Sequence, residues 1–145
     1  RLLDKEAVRL GGGQNHRIGL FDMFLIKDNH IEIAGSITNA VNACRNFQQK
    51  RNSDFKIEVE TKNLEEVKEA LACSVDIIML DNFNTDLMRK AVELINGKCL
   101  VEASGNITID NVKEVAETGV DFISVGALTH SVKALDISLE VELKK

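Results

Sequence analysis

The sequence predicts an α/β fold, a parallel sheet with its helices outside. Two observations lead there. Short apolar stretches alternate with segments whose apolar residues recur at helical spacing, and strand followed by helix with short connections builds parallel sheets. The short stretches are apolar nearly throughout, as strands covered on both faces must be. A third observation bears on where chemistry sits: several strands run into ionisable or glycine-bearing segments, and ligand sites of such folds gather at the carboxyl ends of the strands.

Taken in order, residues 2–10 read as a helix stopped by Gly11-Gly12-Gly13. Gln14, Asn15, His16 and Arg17 follow at once, a crowd of groups that bind anions or move protons. Residues 21–26 are an apolar strand ending on Lys27, followed by Asp28-Asn29-His30. Ile37, Ala40, Val41, Cys44 and Phe47 make one helical stripe. Residues 56–60, KIEVE, form a strand by alternation. Asn63 with Glu66 three residues on is an N-cap with a capping-box partner, opening a helix buried through Leu64, Val67, Ala70 and Leu71. Residues 76–80 are a strand ending at Asp81. Leu87, Met88, Ala91, Leu94 and Ile95 stripe a third helix that stops at Asn96-Gly97. Residues 99–103 are a strand running into Ser104-Gly105-Asn106. Ile109, Val112, Val115 and Ala116 stripe a fourth helix ended by Gly119, and residues 122–125 are the last βα strand, leading to Gly126-Ala127. The alternation over residues 135–143 reads as part of an extended tail, 135–145. No linker interrupts the chain, so 1–145 is one domain, with too few strands for a closed eight-stranded barrel.

Composition narrows the class. A chain of 145 residues can bury a core, and 44% hydrophobic residues indicates neither disorder nor a membrane protein. No apolar run approaches the roughly 20 residues that span a bilayer. A net charge of −5 argues against a nucleic-acid partner, since phosphate backbones demand a basic face. Cys44, Cys73 and Cys99 are odd in number, widely spaced and set among apolar residues; they read as reduced thiols of a cytoplasmic protein.

Period-two alternation sorts the strand side chains. If Ile57 and Val59 face the helices, Glu58 and Glu60 point to the opposite face, and by the same parity so do Lys27, Asp81, Glu102 and Ser104. Buried ionised groups are costly unless paired or bound to a ligand, so this face is a candidate site. The alternative is an internal salt-bridge cluster of Lys27, Glu58 and Glu102. The loops Ser104-Gly105-Asn106 and Val125-Gly126-Ala127, with Thr129, His130 and Ser131 beside the second, offer backbone N–H groups for a phosphate.

The stretch GGGQNHRIGLFDMFLIKDNHI, followed by KIEVE, IMLDNF, EASGNIT, TGVDFISVGALTHS and ALDISLEVEL, resembles the quinolinate phosphoribosyltransferases over essentially the whole chain. The resemblance implies an incomplete open α/β barrel, TIM-barrel-like, with parallel strands and outer helices. It implies phosphoribosyl transfer from phosphoribosyl pyrophosphate to quinolinate with decarboxylation, a step of NAD biosynthesis. Lys27, Glu60 and Asp81 are then catalytic. His16, Arg17 and Lys27 bind quinolinate. Glu60, Asp81, Ser104, Gly105, Asn106, Val125, Gly126, Ala127 and His130 hold the phosphoribosyl group, with Mg2+ at Glu60 and Asp81. A homo-oligomer, dimer or higher, is implied as well. Family members carry an N-terminal domain and a T-R-K-T segment ahead of the position of Arg1, and a cross-dimer arginine. The expectation is therefore a fragment that does not turn over alone. Other readings are a related phosphate-binding barrel enzyme, such as the molybdenum-transport-associated paralogue, and a non-catalytic fragment.

Overall fold

A computed structural model describes residues 2–142. Five strands form one sheet in sequence order, each neighbouring pair parallel: β1 (Phe24–Ile26), β2 (Ile57–Thr61), β3 (Ile77–Asp81), β4 (Leu100–Ser104) and β5 (Phe122–Ile123). Parallel neighbours need crossovers, which the helices supply. α1 (Leu2–Leu10) precedes the sheet; α2 (Asp28–Ala34) and α3 (Ile37–Arg51) join β1 to β2. α4 (Leu64–Ala72), α5 (Thr85–Ile95) and α6 (Val112–Ala116) fill the next three connections, and α7 (Ala127–His130) follows β5.

Register decides what each face carries. Ile26 pairs with Val59, Val59 with Ile78, Ile78 with Val101, Leu80 with Ala103 and Ala103 with Ile123. Paired residues of parallel strands point the same way. This face packs on Ile37 and Val41 of α3, Val67 and Ala70 of α4 and Met88, Ala91 and Ile95 of α5, in one continuous core. The other face carries Glu58, Glu60, Asp81, Glu102 and Ser104, as the alternation predicts, so acidic side chains line the surface that no crossover helix covers.

Local chemistry sets the helix ends. Ser36, Asn63 and Asn84 each accept a hydrogen bond from the backbone N–H three residues on, opening α3, α4 and α5. Asn52 and Asn96 close α3 and α5 with left-handed backbones, φ 49° and 48°. Strand starts repeat another device. Asp76, just before β3, accepts from the Ile57 N–H at 2.8 Å and returns its own N–H to the Ile57 carbonyl at 3.0 Å. Asp121, just before β5, does the same to Val101, at 2.8 and 2.9 Å.

Several expectations shift. The sequence reading places no helix between Lys27 and Gly35; residues 28–34 form α2 directly after Lys27, and Gly35 at φ 84° closes it. β1 begins only at Phe24, with Phe21 69% exposed. Ile109 lies before α6 and is 88% exposed, so it does not join that helix's buried stripe. Phe47, at the margin of its stripe, is half exposed and packs edge-on against Phe24. β5 is two residues long rather than four. Residues 132–142 form no helix or strand and are exposed, while the rest of the predicted tail, 143–145, lies outside the described residues.

Candidate active site

At the carboxyl edge of the sheet, Lys27, Glu60 and Asp81 stand at the ends of β1, β2 and β3. Lys27 Nζ lies 3.6 Å from Glu60 Oε2. Its backbone N–H donates to His30 Nδ1 at 2.9 Å, which anchors α2 against the end of β1. Burial pushes the Glu60 carboxyl above its ordinary range, Lys27 opposes that, and Asp81 adds to it. Asp28 is drawn off to Lys62 at 2.8 Å, which holds its carboxyl low.

The loops after β3 and β4 are stitched together beside this group. Asn82, at φ 56°, donates to Asp81 Oδ2 and accepts from Asn106 Nδ2, both at 2.9 Å. Gly105, at φ 91°, leaves no room for a side chain: a Cβ there would lie 2.6 Å from Asn82 Cγ and 3.0 Å from its backbone nitrogen. The need for glycine therefore comes from loop-to-loop packing. Gly126 is different, since its backbone is helical (φ −60°) and a Cβ would meet the His130 imidazole at 2.7 Å. His130 Nδ1 is also 2.7 Å from Ser131 Oγ, so it turns toward its own segment.

A second cluster occupies the same face. His16 Nε2 lies 2.9 Å from Glu58 Oε2 and 3.7 Å from Glu102 Oε2, and Ser124 Oγ donates to Glu102 Oε1 at 2.6 Å. β3 separates the two glutamate strands, so on a flat sheet they would stand about 9.5 Å apart. Their ligand atoms and that of His16 all fall within 4.8 Å, so the side chains converge as they do inside a barrel. Glu58 is fully buried and its Oε1 has no hydrogen-bond partner, while Glu102 is 3% exposed. The Glu58 bond raises the His16 pKa against the opposing effect of burial, with Glu102 adding to the rise. Burial, with Glu58 beside it, raises that of Glu102. The His16 ring stands where a cation between the two carboxyl groups would stand. The alternative cluster of Lys27 with Glu58 and Glu102 is thus corrected: His16 is their partner, and Lys27 pairs with Glu60.

α1 holds the segment that presents His16. Lys5 Nζ donates to the His16 carbonyl at 2.9 Å and the Arg17 carbonyl at 3.1 Å, and Asn15 Nδ2 donates to the Lys5 carbonyl at 2.9 Å. Asp22 accepts from the N–H groups of Ile18 and Gly19, folding the chain between Arg17 and β1. Arg17 Nη1 reaches the Met23 carbonyl at 3.4 Å. Two cavities flank this segment. One of about 440 Å³ runs from His16, Arg17, Glu102 and Ser124 toward the amino ends of the strands, at Ile77 and Phe122. Another of about 360 Å³ lies between α1 and the β5 loop, touching His16, Val125, Gly126 and Thr129. Neither is lined by Lys27, Glu60 or Asp81, which stand at the open edge.

The sequence-derived residues thus fall into two groups on one face: Lys27, Glu60 and Asp81 with the Ser104-Gly105-Asn106 loop, and His16 with Arg17 and the β5 loop, Val125 to Ala127. Ser124 and Asn82 escaped the sequence reading. A polar residue two beyond Phe122 in an apolar strand marks Ser124 by parity, and an Asn directly after a strand-ending Asp marks Asn82.

Comparison with known proteins settles the family. The model of the quinolinate phosphoribosyl transferase C-terminal domain matches residues 1–140. The chain belongs to this family. A chloroplastic nicotinate-nucleotide pyrophosphorylase (carboxylating) of Oryza sativa subsp. japonica is 54% identical over 98% of the chain and 42% of its own length. A probable nicotinate-nucleotide pyrophosphorylase of Synechocystis is 52% identical, over 97% and 48%. The crystal structure of the nicotinate-nucleotide pyrophosphorylase of Ehrlichia chaffeensis superposes with a TM-score of 0.90 at 44% identity, covering 97% of this chain and 50% of that one. The chain therefore spans about half the length of the quinolinate phosphoribosyl transferase relatives it matches.

Proposed function

We propose that the protein transfers a phosphoribosyl group from phosphoribosyl pyrophosphate to quinolinate, giving nicotinate mononucleotide, pyrophosphate and carbon dioxide. The observation that carries this reading is one concave face holding Glu60 and Asp81 beside Lys27 and, on the same face, His16 with Arg17 next to it. The donor needs carboxylates near its ribose and the acceptor needs cations. The pyridine nitrogen attacks the anomeric carbon as the bond to pyrophosphate breaks. Positive charge develops on the ribose ring, and Glu60 and Asp81 stabilise it. Loss of the 2-carboxylate as carbon dioxide leaves a ring carbanion, which a proton then quenches. Lys27 and Arg17 hold the acid's carboxylates, the arginine through its planar fork.

Mg2+ fits Glu60 and Asp81. They are neighbouring hard oxygen donors at an open edge, and that ion keeps its waters and binds through one or two carboxylates plus substrate phosphates. When bound, it neutralises the pyrophosphate leaving group. The Ser104-Gly105-Asn106 and Val125-Gly126-Ala127 loops, with His130 beside the second, cradle the 5-phosphate. We further propose a homo-oligomer, because Leu2, Leu3 and Leu10 of α1 are 79%, 83% and 72% exposed. The described residues contain no helix long and apolar enough to cross a membrane, and the cysteines are free. Related proteins are named chloroplastic or mitochondrial, so the compartment we propose is a reducing one, cytoplasm or organelle interior.

Calorimetry with each substrate tests the assignment. Arg17→Ala should weaken quinolinate binding by about 1.5 kcal/mol or more, the value of a charged hydrogen bond. Unchanged quinolinate affinity would sink the placement of the acid.

A further inference from the structure

The buried pair Glu58 and Glu102 is not used by the chemistry above. We propose that Glu58, Glu102 and Ser124 are positioning residues that hold the His16 ring as a fixed cation, which recognises one carboxylate of the pyridine dicarboxylate. This rests on the functional reading just given. The geometry leaves the ring little choice. A nitrogen lone pair facing Glu58 Oε2 at 2.9 Å and Glu102 Oε2 at 3.7 Å would be repelled by both, so Nε2 carries a proton and donates. With that proton fixed, the charge of the ring is decided at Nδ1.

The surroundings favour the charged form. Glu58 faces the ring from β2 and Glu102 from β4; Arg17 is the adjacent cation and Lys5 of α1 binds the His16 carbonyl. The hydrogen bond to Glu58, with the charges of Glu58 and Glu102 adding to it, outweighs burial of the ring and the neighbouring guanidinium, which is why the His16 pKa lies above its ordinary value. A neutral ring would leave Glu58 and Glu102 confronting each other, with Glu58 Oε1 already unpartnered. Ser124 fixes the far oxygen of Glu102 and so sets which one turns to the ring. The side chain of His16 is 32% exposed and lines both cavities, so one edge is anchored while another stays open to a ligand.

Nitrogen-detected NMR of the imidazole, assigned with His16→Gln, reads the charge directly, and quinolinate calorimetry at pH 6 and pH 8 reads its use. The wild-type ring should be doubly protonated at pH 7.5. In Glu58→Gln it should titrate near the ordinary value of about 6.5. That variant should lose about tenfold in quinolinate affinity at pH 8 and far less at pH 6, where solvent restores the charge. Ser124→Ala, which keeps both carboxylates, should shift in the same direction by less and guards against a Glu58→Gln protein that fails to fold. A neutral wild-type ring at pH 7.5, or an affinity loss equal at both pH values, would overturn the proposal even if quinolinate binds. A doubly protonated ring in a protein that binds no quinolinate would refute the functional reading, and with it the recognition step.

Discussion

Gly105 and Gly126 look alike in sequence, each glycine opening a loop after a strand, and they behave differently. Gly105 combines a left-handed φ of 91° with a site already filled by Asn82. Gly105→Ala should therefore destabilise the protein by about 1–3 kcal/mol from backbone strain alone, with the clash added. Gly126→Ala, on a helical backbone, need only displace the His130 ring, and urea denaturation should place its midpoint close to wild type. Equal losses would mean that packing around Asn82 is not what demands glycine. Charge separates Glu60 from Arg17 in the same way. Glu60→Ala and Asp81→Ala should each abolish most binding of phosphoribosyl pyrophosphate with Mg2+ while quinolinate alone still binds. Loss of both ligands together would instead make these groups structural.

The strand-start aspartates act at the scale of whole elements. Asp76 and Asp121 each clasp the preceding strand by a side-chain acceptor and a backbone donor, which pins the register of β3 on β2 and of β5 on β4. β5 has only two strand residues, so it depends most on its clasp. Asp121→Ala should cost about 1 kcal/mol, as a lost side-chain hydrogen bond to a backbone N–H does. Hydrogen exchange should also quicken first at Ile123 and Ser124. Lys113→Ala, which removes a long and exposed ion pair to Glu117, serves as the control and should leave stability nearly unchanged. Protection in β5 that survives Asp121→Ala would show that α6 packing alone holds the strand.

For the molecule as a whole, the concave face makes stability depend on pH with a definite sign. His16, Glu60 and Glu102 all have folded pKa values above their ordinary ones. The folded state thus holds more protons than the unfolded state from about pH 4.5 upward for the carboxyls and from about pH 6.5 upward for the imidazole, so stability falls as pH rises through those windows. Asp22 and Asp28, held low by hydrogen bonds from backbone N–H groups and from Lys62 respectively, act oppositely, and their contribution is lost as pH falls into the acid range. Maximum stability should lie on the acid side of neutrality. The urea midpoint should drop between pH 6 and pH 8, and His16→Gln should flatten that drop. A midpoint that climbs over this interval would contradict the folded arrangement of His16 between two carboxylates.

Period and punctuation alone determined the parallel α/β order, the strand faces and the helix ends at Gly11, Asn63 and Asn96. An apolar run, an Asn cap and a left-handed Asn or Gly are local events that need no partner to be read. The parity of KIEVE put Glu58 and Glu60 on the face away from the helices for the same reason. What only the tertiary structure decided is who meets whom on that face. Nothing local to residue 16 says that its ring will sit between side chains from β2 and β4, because that contact depends on how far the sheet curls and on Lys5 holding the chain before β1. The cluster the sequence offered joined Lys27 to Glu58 and Glu102, yet Lys27 pairs with Glu60, because both stand at the carboxyl edge while Glu58 lies one pleat deeper. The collision that keeps Gly105 a glycine is likewise between loops 23 residues apart, and long-range packing of that kind leaves no local mark.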